Sequence, residues 1–361
     1  EELVLQLDRE GLNMRIHKSV SEGGKVYFVM KKKEVCGIIV IDYKKYRKIK
    51  NLNTPLILYI FTMFTMFLPF LSSAHKGAHR WIELKSFSLQ PSEIAKLVIV
   101  ILMADFISRN KLYINTWEKN VYPVMYVAVF CPLTLLLQKD LGSTALIFVL
   151  WTTMLILAKI DTKRILIIFL CAFLGAATAL IIQPYRRTRL ITFCQPIVQK
   201  FVGNQNETAN KLIKKNDDDS YNSDMAFAAF GSGGLFGKGA GKSETKLKFL
   251  PEKQTDYIFC IVGEEYGLIG TIITLLLFFL FAKTAMSIHS KCSDDFAKFL
   301  SFGITLIITL QALINMGMTT GVLPAKGFPL PFISYGGSSM LLNSYMVGIL
   351  INIARNNNKK L

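Results

Sequence analysis

The chain has 361 residues, of which 52% are hydrophobic, and its mean hydropathy is positive. This composition is too apolar for one soluble domain and is typical of a polytopic membrane protein. The net charge of +17 does not call for a nucleic-acid partner, because lysine and arginine gather in cytoplasmic loops beside anionic membrane lipid. The six cysteines show neither a metal-ligand spacing nor a disulfide framework.

The apolar segments predict the membrane topology. Residues 1–50 are mixed and basic, and we interpret them as a cytoplasmic or degenerate N-terminal region. Eight later segments are apolar and long enough to approach or exceed the bilayer-spanning length: 56–71, 91–107, 121–137, 144–160, 165–182, 257–287, 299–320 and 338–353. Basic residues precede the first segment and lie in every loop on that same side, so this side is cytoplasmic. The sequence therefore predicts an all-α polytopic protein with about eight transmembrane helices over residues 51–355 and a cytoplasmic tail at 356–361.

The chemically unusual residues fall in or next to the four segments predicted outside the membrane. These are 72–90, 138–143, a large loop at 183–256, and 321–337. The large loop contains a glycine-rich run at 231–241 followed by Lys242 and Ser243. We reject a phosphate-binding P-loop here, because Phe236 occupies the position of the first required glycine and no strand is predicted before it.

Asp256 stands where the large outer loop ends and an apolar run begins. An ionisable group at the mouth of a membrane helix is a functional candidate, because its desolvation is unfavourable. The alternative is that Asp256 only caps the helix that follows. Glu264 and Glu265 follow about 12 Å further along that helix, and we expect them to be spectators.

Three further groups of polar residues lie on the outer side. Glu93 and Lys96 are three apart on one helical face and can neutralise each other, either as a structural pair or at a site. Asp140 fits a tight turn. The arginines at 186, 187 and 189 either anchor a helix at the head groups or bind a phosphate-bearing ligand.

A last outer segment, 324–339, is rich in proline and then opens a helix with glycines and serines, whose backbone amides could face an anion.

These motifs together resemble the SEDS family, the shape, elongation, division and sporulation proteins. The resemblance runs in order from about residue 54 to 355. It is carried by Arg80-Trp-Ile, Gln90-Pro-Ser-Glu with Lys96, Asp140-Leu-Gly, Gly233-Gly, Leu250-Pro-Glu with Thr255-Asp256, Gly263-Glu-Glu with Gly267, and Pro331-Phe-Ile-Ser-Tyr-Gly-Gly-Ser-Ser339.

Within the family, two segments are more similar to the division member than to the elongation member. They are Pro324-Ala-Lys-Gly327 and Ser243-Glu-Thr-Lys-Leu247. A third group resembles the alphaproteobacterial style of that member: Tyr221, Asp224, Ala226 and Ala229-Phe230.

The resemblance implies a SEDS-type helical bundle that polymerises lipid II into glycan strands at the periplasmic face of the bacterial inner membrane, at the division septum. It implies a class B penicillin-binding transpeptidase and division-machinery membrane proteins as partners. It also implies that Asp256 is catalytic and that Glu93 and Lys96 line a central cavity. Glu93 and Lys96 form the expected substrate-binding set together with the outer-side basic and hydroxyl residues. The whole set is Arg80, Glu93, Lys96, Arg187, Arg189, Lys326, Ser334 and Ser338.

The residue inventory suits this chemistry. A sugar joined to a lipid diphosphate already carries a good leaving group, so the reaction needs one base and cations that stabilise the departing diphosphate. Asp256 among outer-side arginines and lysines provides both. A divalent cation, Mg²⁺ or Mn²⁺, could also stabilise the diphosphate, but the sequence shows no recognisable set of metal ligands.

Three alternatives stay open. The first is an elongation-type polymerase, and the second is a flippase for the lipid-linked precursor, which many spans around a charged pair would suit. The third is an inactive, truncated scaffold for a class B penicillin-binding protein. Two observations favour this third alternative. The family has ten spans, and the first two are not clear apolar runs here. In addition, Lys139 and Asn222 differ from the residues that the family usually has at these positions.

Overall fold

The computed structural model describes residues 5–7, 14–21, 24–31, 34–35, 53–71, 81–84, 87–110, 140–161, 163, 217–244, 255–323 and 327–358. Seven α-helices lie in these ranges: α1 (Asn53–Phe67), α2 (Pro91–Asn110), α3 (Leu141–Leu157), α4 (Asp217–Gly233), α5 (Ile258–Lys291), α6 (Asp295–Thr319) and α7 (Gly337–Asn358). A 3-10 helix, Leu68–Leu71, continues α1.

Six of the eight predicted spans coincide with helices α1, α2, α3, α5, α6 and α7. The predicted spans at 121–137 and 165–182 lie outside the described residues, so the number eight stays a prediction. Three of the described helices, α5, α6 and α7, are long and apolar enough to cross a bilayer. The chain is thus a multi-pass helical membrane protein.

Short strands accompany the helices. Residues in the N-terminal region form an antiparallel sheet of order β1-β2-β3-β4, made of Leu5–Leu7, Met14–Ser21, Gly24–Lys31 and Glu34–Val35. Two further strands, β5 (Ile82–Leu84) and β6 (Phe87–Leu89), pair just before α2. The sequence pattern did not lead us to predict these strands, although Glu22-Gly23-Gly24 is a turn signal between two β-branched and aromatic stretches.

The chain divides into two compact units. The first contains residues 1–159, 279–310 and 336–361, and the second contains 160–278 and 311–335. In the first unit, α2 packs against α1, α3 and α7. Gly303 of α6 lies so close to α2 that a Cβ there would be 2.3 Å from Val100. Small residues allow this approach in membrane helices, where dispersion contacts rather than water exclusion drive packing.

The second unit is built around the first half of α5. One buried cluster joins α4 to this helix through Ala226, Ala229, Tyr257, Cys260 and Ile261. A second cluster joins Phe259 to Ala312 and Met316 of α6 and to Leu330. Phe230 of α4 packs edge-on against Phe259, with ring centroids 5.7 Å apart. This packing places the turn before α5 beside the end of α6 and the segment 327–335.

Candidate active site

Asp256 lies in the turn at 255–257, directly before α5 begins at Ile258. Its carboxylate lies against bare backbone, since a Cβ built on Gly327 would be only 2.7 Å from Asp256 Oδ2. Only glycine leaves room for the carboxylate at this distance. The structure therefore places Asp256 at the polar end of a membrane-length helix, as the sequence predicts.

Two side chains hold the backbone of this turn. Asn315 Nδ2 donates to the Asp256 carbonyl oxygen at 2.8 Å and to the Phe328 carbonyl oxygen at 2.6 Å. Ser334 Oγ donates to the Thr255 carbonyl oxygen at 2.5 Å and accepts from the Leu330 amide at 2.6 Å. Ser334 was predicted to bind substrate, and its hydroxyl already makes two backbone hydrogen bonds. Sequence reasoning missed Asn315, although an asparagine in an apolar span is a signal of its own.

The segment that carries Ser334 has an unusual backbone. Phe332 has a φ of 66°, a left-handed conformation that is uncommon for a residue with a side chain. The Ser334 amide donates to the Leu330 carbonyl oxygen at 2.9 Å. These hydrogen bonds hold the Ser334 hydroxyl between the Leu330 amide and the Thr255 carbonyl.

The glycine-rich loop (residues 233–244) docks on a break in α5. At Gly267 the φ and ψ angles are 67° and −162°, so the helical hydrogen bonds across it are lost. The loop replaces them: the amides of Lys238 and Gly239 donate to the Glu264 and Glu265 carbonyls, both at 2.9 Å. In return, the amides of Leu268 and Ile269 donate to the Gly234 and Leu235 carbonyls at 2.9 and 3.3 Å.

This exchange of backbone hydrogen bonds explains why Gly237 and Gly267 are glycines. A Cβ on Gly237 would be 2.2 Å from the Glu265 carbonyl oxygen, and a Cβ on Gly267 would be 2.5 Å from the Leu235 carbonyl oxygen. Both residues also have positive φ. Backbone can approach backbone this closely only where side chains are absent.

Glu264, which we expect to take no part in the reaction, has a structural role that the sequence did not lead us to predict. Its carboxylate is fully buried and accepts hydrogen bonds from Lys238 Nζ at 2.9 Å, Ser243 Oγ at 2.5 Å and the Glu244 amide at 3.2 Å. A buried carboxylate needs such donors. The Glu264 hydrogen bond also raises the pKa of Lys238. Lys238 and Ser243 therefore hold a carboxylate of the chain itself. Ser243 is the serine of the rejected P-loop match, and its hydroxyl binds Glu264.

In the first unit, Glu93 and Lys96 form the predicted pair. Lys96 Nζ lies 2.6 Å from Glu93 Oε1, with side chains only 1% and 4% exposed. Pro91 occupies the first position of α2, where its missing amide proton is tolerated. The pairing is confirmed, and the expected role of these residues in substrate binding stays a prediction.

Asp140 caps helix α3, so its structural role is confirmed, although it begins a helix that includes Gly142 rather than forming a tight turn. Asp140 Oδ1 accepts from the Ser143 amide at 3.1 Å, and Oδ2 accepts from Ser143 Oγ at 2.6 Å. Gln90, just before α2, donates to the same carboxylate at 3.4 Å. The beginnings of α2 and α3 are thereby joined by polar contacts.

The remaining predicted site residues divide into two groups. Ser338 lies in the first turn of α7, and its buried Oγ has no hydrogen-bond partner within the described part of the chain. Arg80, Arg187, Arg189 and Lys326 lie outside the described residues. Within the ranges that the structure describes, no group of three or more histidine, cysteine, aspartate or glutamate side chains could hold a metal ion.

These features define a polytopic helical membrane protein with buried charged groups at helix ends. The family model for FtsW, RodA and SpoVE, described as "Cell cycle protein", matches residues 24–359. The chain therefore belongs to this family, which is the SEDS family that its motifs resemble.

Several relatives are similar over most of their length. The "Probable peptidoglycan glycosyltransferase FtsW" of Geobacter metallireducens is 33% identical over 315 residues, which cover 87% of this chain and 79% of that protein. The protein of the same name from Coxiella burnetii is 35% identical over 290 residues, 79% of this chain and 73% of that protein. "Stage V sporulation protein E" of Bacillus subtilis is 30% identical over 318 residues, 88% of this chain and 82% of that protein.

Two solved structures share the fold. One belongs to a peptidoglycan synthase complex, "Structural coordination of polymerization and crosslinking by a peptidoglycan synthase complex"; it has a TM-score of 0.64 at 21% identity and covers 84% of this chain and 81% of that chain. The other is the rod shape determining protein RodA of Thermus thermophilus, with a TM-score of 0.58 at 19% identity, covering 87% of this chain and 80% of that chain.

Proposed function

We propose that this chain is a peptidoglycan glycosyltransferase that polymerises lipid II into glycan strands during cell division. The observation that carries the proposal is the position of Asp256. Its carboxylate lies against Gly327 in a turn whose carbonyls are held by Asn315 and Ser334. The names of the relatives from Geobacter metallireducens and Coxiella burnetii support the same activity.

In the proposed reaction, Asp256 acts as general base. It takes the proton from the attacking sugar hydroxyl as that oxygen forms a bond to the anomeric carbon of the second lipid II molecule. The bond from this carbon to the diphosphate oxygen breaks, and the lipid diphosphate leaves with the electron pair. A fixed base within reach of the hydroxyl lowers the barrier without a second carboxylate, since the leaving group needs no proton.

The other predicted residues have supporting roles in this proposal. Arg80, Arg187, Arg189 and Lys326 stabilise the negative charge of the diphosphate. Glu93, Lys96 and Ser338 contact the substrate. We place the reaction at the periplasmic face of the inner membrane, at the septum, with a class B penicillin-binding transpeptidase and other division-machinery membrane proteins as partners. The synthase complex among the solved structures of the same fold supports such a pairing.

The test is polymerisation by the purified full chain in liposomes that contain lipid II and no other synthase. We expect glycan strands, resolved by length on a gel. A preparation that moves lipid II between leaflets without making strands would support the flippase instead. A folded preparation that only recruits its transpeptidase partner would support the scaffold.

A further inference from the structure

Asn315 and Ser334 control the two peptide planes on either side of Asp256. Asn315 is wholly buried on α6, and Ser334 is 7% exposed. They bond the carbonyl oxygens of Asp256 and Thr255, which are consecutive along the chain. Because each peptide unit is planar, holding both carbonyl oxygens restrains φ and ψ of Asp256. The direction of its Cα–Cβ bond is restrained as well.

Each of these side chains reaches a second segment. The other proton of the Asn315 amide binds the Phe328 carbonyl at 2.6 Å, and Ser334 accepts from the Leu330 amide at 2.6 Å. The same two side chains therefore connect the Asp256 turn to residues 327–330. That segment includes Gly327, whose bare backbone faces the Asp256 carboxylate.

We propose that Asn315 and Ser334 are positioning residues that aim the Asp256 carboxylate. Gly327 is the third part of this device, because any side chain there would displace the carboxylate. The proposal rests on the proposed function, since it assigns Asp256 as the general base. Asn315 Oδ1 is buried and has no hydrogen-bond partner among the described residues, so Asn315 is held through its two donated hydrogen bonds.

The experiment measures kcat and KM for lipid II with the full chain in liposomes. We expect Asn315→Leu to lower kcat by about 100-fold, the loss that a displacement of about 1 Å can cause. KM should stay within about twofold, because neither side chain contacts substrate in this proposal. Ser334→Ala should also lower kcat, and Ser334→Thr, which keeps the hydroxyl, should restore most of it.

Thr319→Val is the matched control on the same helix. Thr319 is buried one turn beyond Asn315. Among the described residues, its hydroxyl binds only carbonyls of α6, those of Asn315 and Met316, both at 3.0 Å. Its replacement should leave kcat unchanged. An equal loss of kcat in Thr319→Val and Asn315→Leu would mean that any disturbance of α6 has this effect, and would overturn the proposal.

A second comparison uses the Asp256→Asn background. If Asn315 acts through Asp256, adding Asn315→Leu to Asp256→Asn should not lower the residual rate further. A further loss by the same factor would show that Asn315 acts independently of the carboxylate. Gly327→Ala should reproduce the kcat loss without touching either hydrogen-bonding residue, and normal activity in this variant would contradict the proposed geometry.

Hydrogen exchange separates failure of this proposal from failure of the proposed function. Asn315→Leu and Ser334→Ala should increase amide exchange in a peptide covering 255–260, whereas Thr319→Val should not. A parent chain without polymerase activity would refute the proposed function and, with it, the catalytic role of the positioning residues. Unchanged exchange in an active parent background would overturn the positioning alone.

Discussion

Two carboxylates near the start of α5 have different surroundings. Glu264 is fully buried and accepts hydrogen bonds from Lys238, Ser243 and the Glu244 amide. Asp256 lies in a turn against the bare backbone of Gly327. Local environment sets the roles of neighbouring carboxylates. On this comparison, Glu264 is a structural anchor, whereas the proton transfer by Asp256 is our proposal.

Asp256→Asn tests the role of the base directly. The asparagine keeps the shape of the side chain but does not accept the proton, so lipid II polymerisation should fall by at least about 100-fold. Membrane insertion and partner binding should change little, because Asn315 and Ser334 bond backbone atoms that the substitution retains. The measurement is strand formation from purified lipid II.

The matched control for this change is Glu244→Gln. Glu244 also carries a carboxylate, on the glycine-rich loop, but its side chain is 77% exposed. Its replacement should leave polymerisation at the parent rate. An Asp256→Asn protein that polymerises at that rate too would refute the catalytic assignment.

The Glu93–Lys96 pair predicts strong coupling between two single substitutions. The Lys96 side chain is 1% exposed and the Glu93 side chain is 4% exposed. Removing either partner leaves the charge of the other buried and unpaired, at a cost of about 3–5 kcal/mol. The double substitution to alanine should cost less than the sum of the two. Thermal unfolding in detergent, arranged as a double-mutant cycle, measures the coupling.

Helix α2 also provides the control for this cycle. Arg109 and Asp105 form an ion pair at 2.8 Å with side chains 42% and 24% exposed. An exposed pair of this spacing contributes about 0.3–0.5 kcal/mol. Strictly additive effects at Glu93 and Lys96 would show that their close contact has no energetic weight.

At the scale of elements, the break in α5 and the glycine-rich loop form one structure. The chain gives up helical hydrogen bonds around Gly267 and recovers them from residues 234–239. The loop and the break therefore satisfy backbone groups of each other. Gly237 and Gly267 make the contact possible because both lack a Cβ.

Glu264→Gln should loosen this loop. The substitution removes the charge that Ser243 Oγ and the Glu244 amide bind, and a hydrogen bond to a charged group contributes about 1.5–3 kcal/mol. We therefore expect amide exchange at residues 237–239 to rise by about 10- to 100-fold. Hydrogen exchange with mass spectrometry measures it in the full chain.

Glu244→Gln serves as the comparison here as well. This change keeps the Glu244 amide that donates to Glu264 and removes only an exposed carboxylate 3.5 Å from Lys238. Exchange at 237–239 should stay at the parent level. Equal exchange in the parent and in Glu264→Gln would mean that the backbone hydrogen bonds hold the loop without the carboxylate.

At the scale of the whole molecule, the length of α5 needs an explanation. Its 34 residues extend about 51 Å at about 1.5 Å per residue, whereas the hydrocarbon core of a bilayer is about 30 Å thick. Residues 268–291 alone extend about 36 Å, enough to cross. The break at Gly267 therefore separates a spanning part from a part that carries Glu264 and begins at the Asp256 turn.

The predicted topology is testable by cysteine labelling. In a chain whose six native cysteines are replaced, Lys253→Cys should react with an impermeant probe from outside. Ser293→Cys, between α5 and α6, should react only from inside, because α5 crosses the membrane once between the two positions. Labelling of both from one side would contradict the span assignment. Lys253 lies outside the described residues, so the label supplies its position independently.

The sequence by itself determined the membrane class, six of the helices, the Glu93–Lys96 pair and the family. Hydropathy, basic loops and spacing along a helix are local properties, and they can be read without knowing the path of the chain. The sequence also singled out Asp256 as the candidate base. The motif glycines were visible as well, although the contacts that require them were not.

Only the tertiary structure decided which residues hold the candidate site. Asn315 reaches the Asp256 carbonyl across 59 residues, and Ser334 reaches the Thr255 carbonyl across 79. It also decided that Glu264 is an anchor, because its partners at 238–244 come from a different part of the chain. Contacts between remote segments depend on the chain path and on side-chain direction, and no local pattern of residues encodes either.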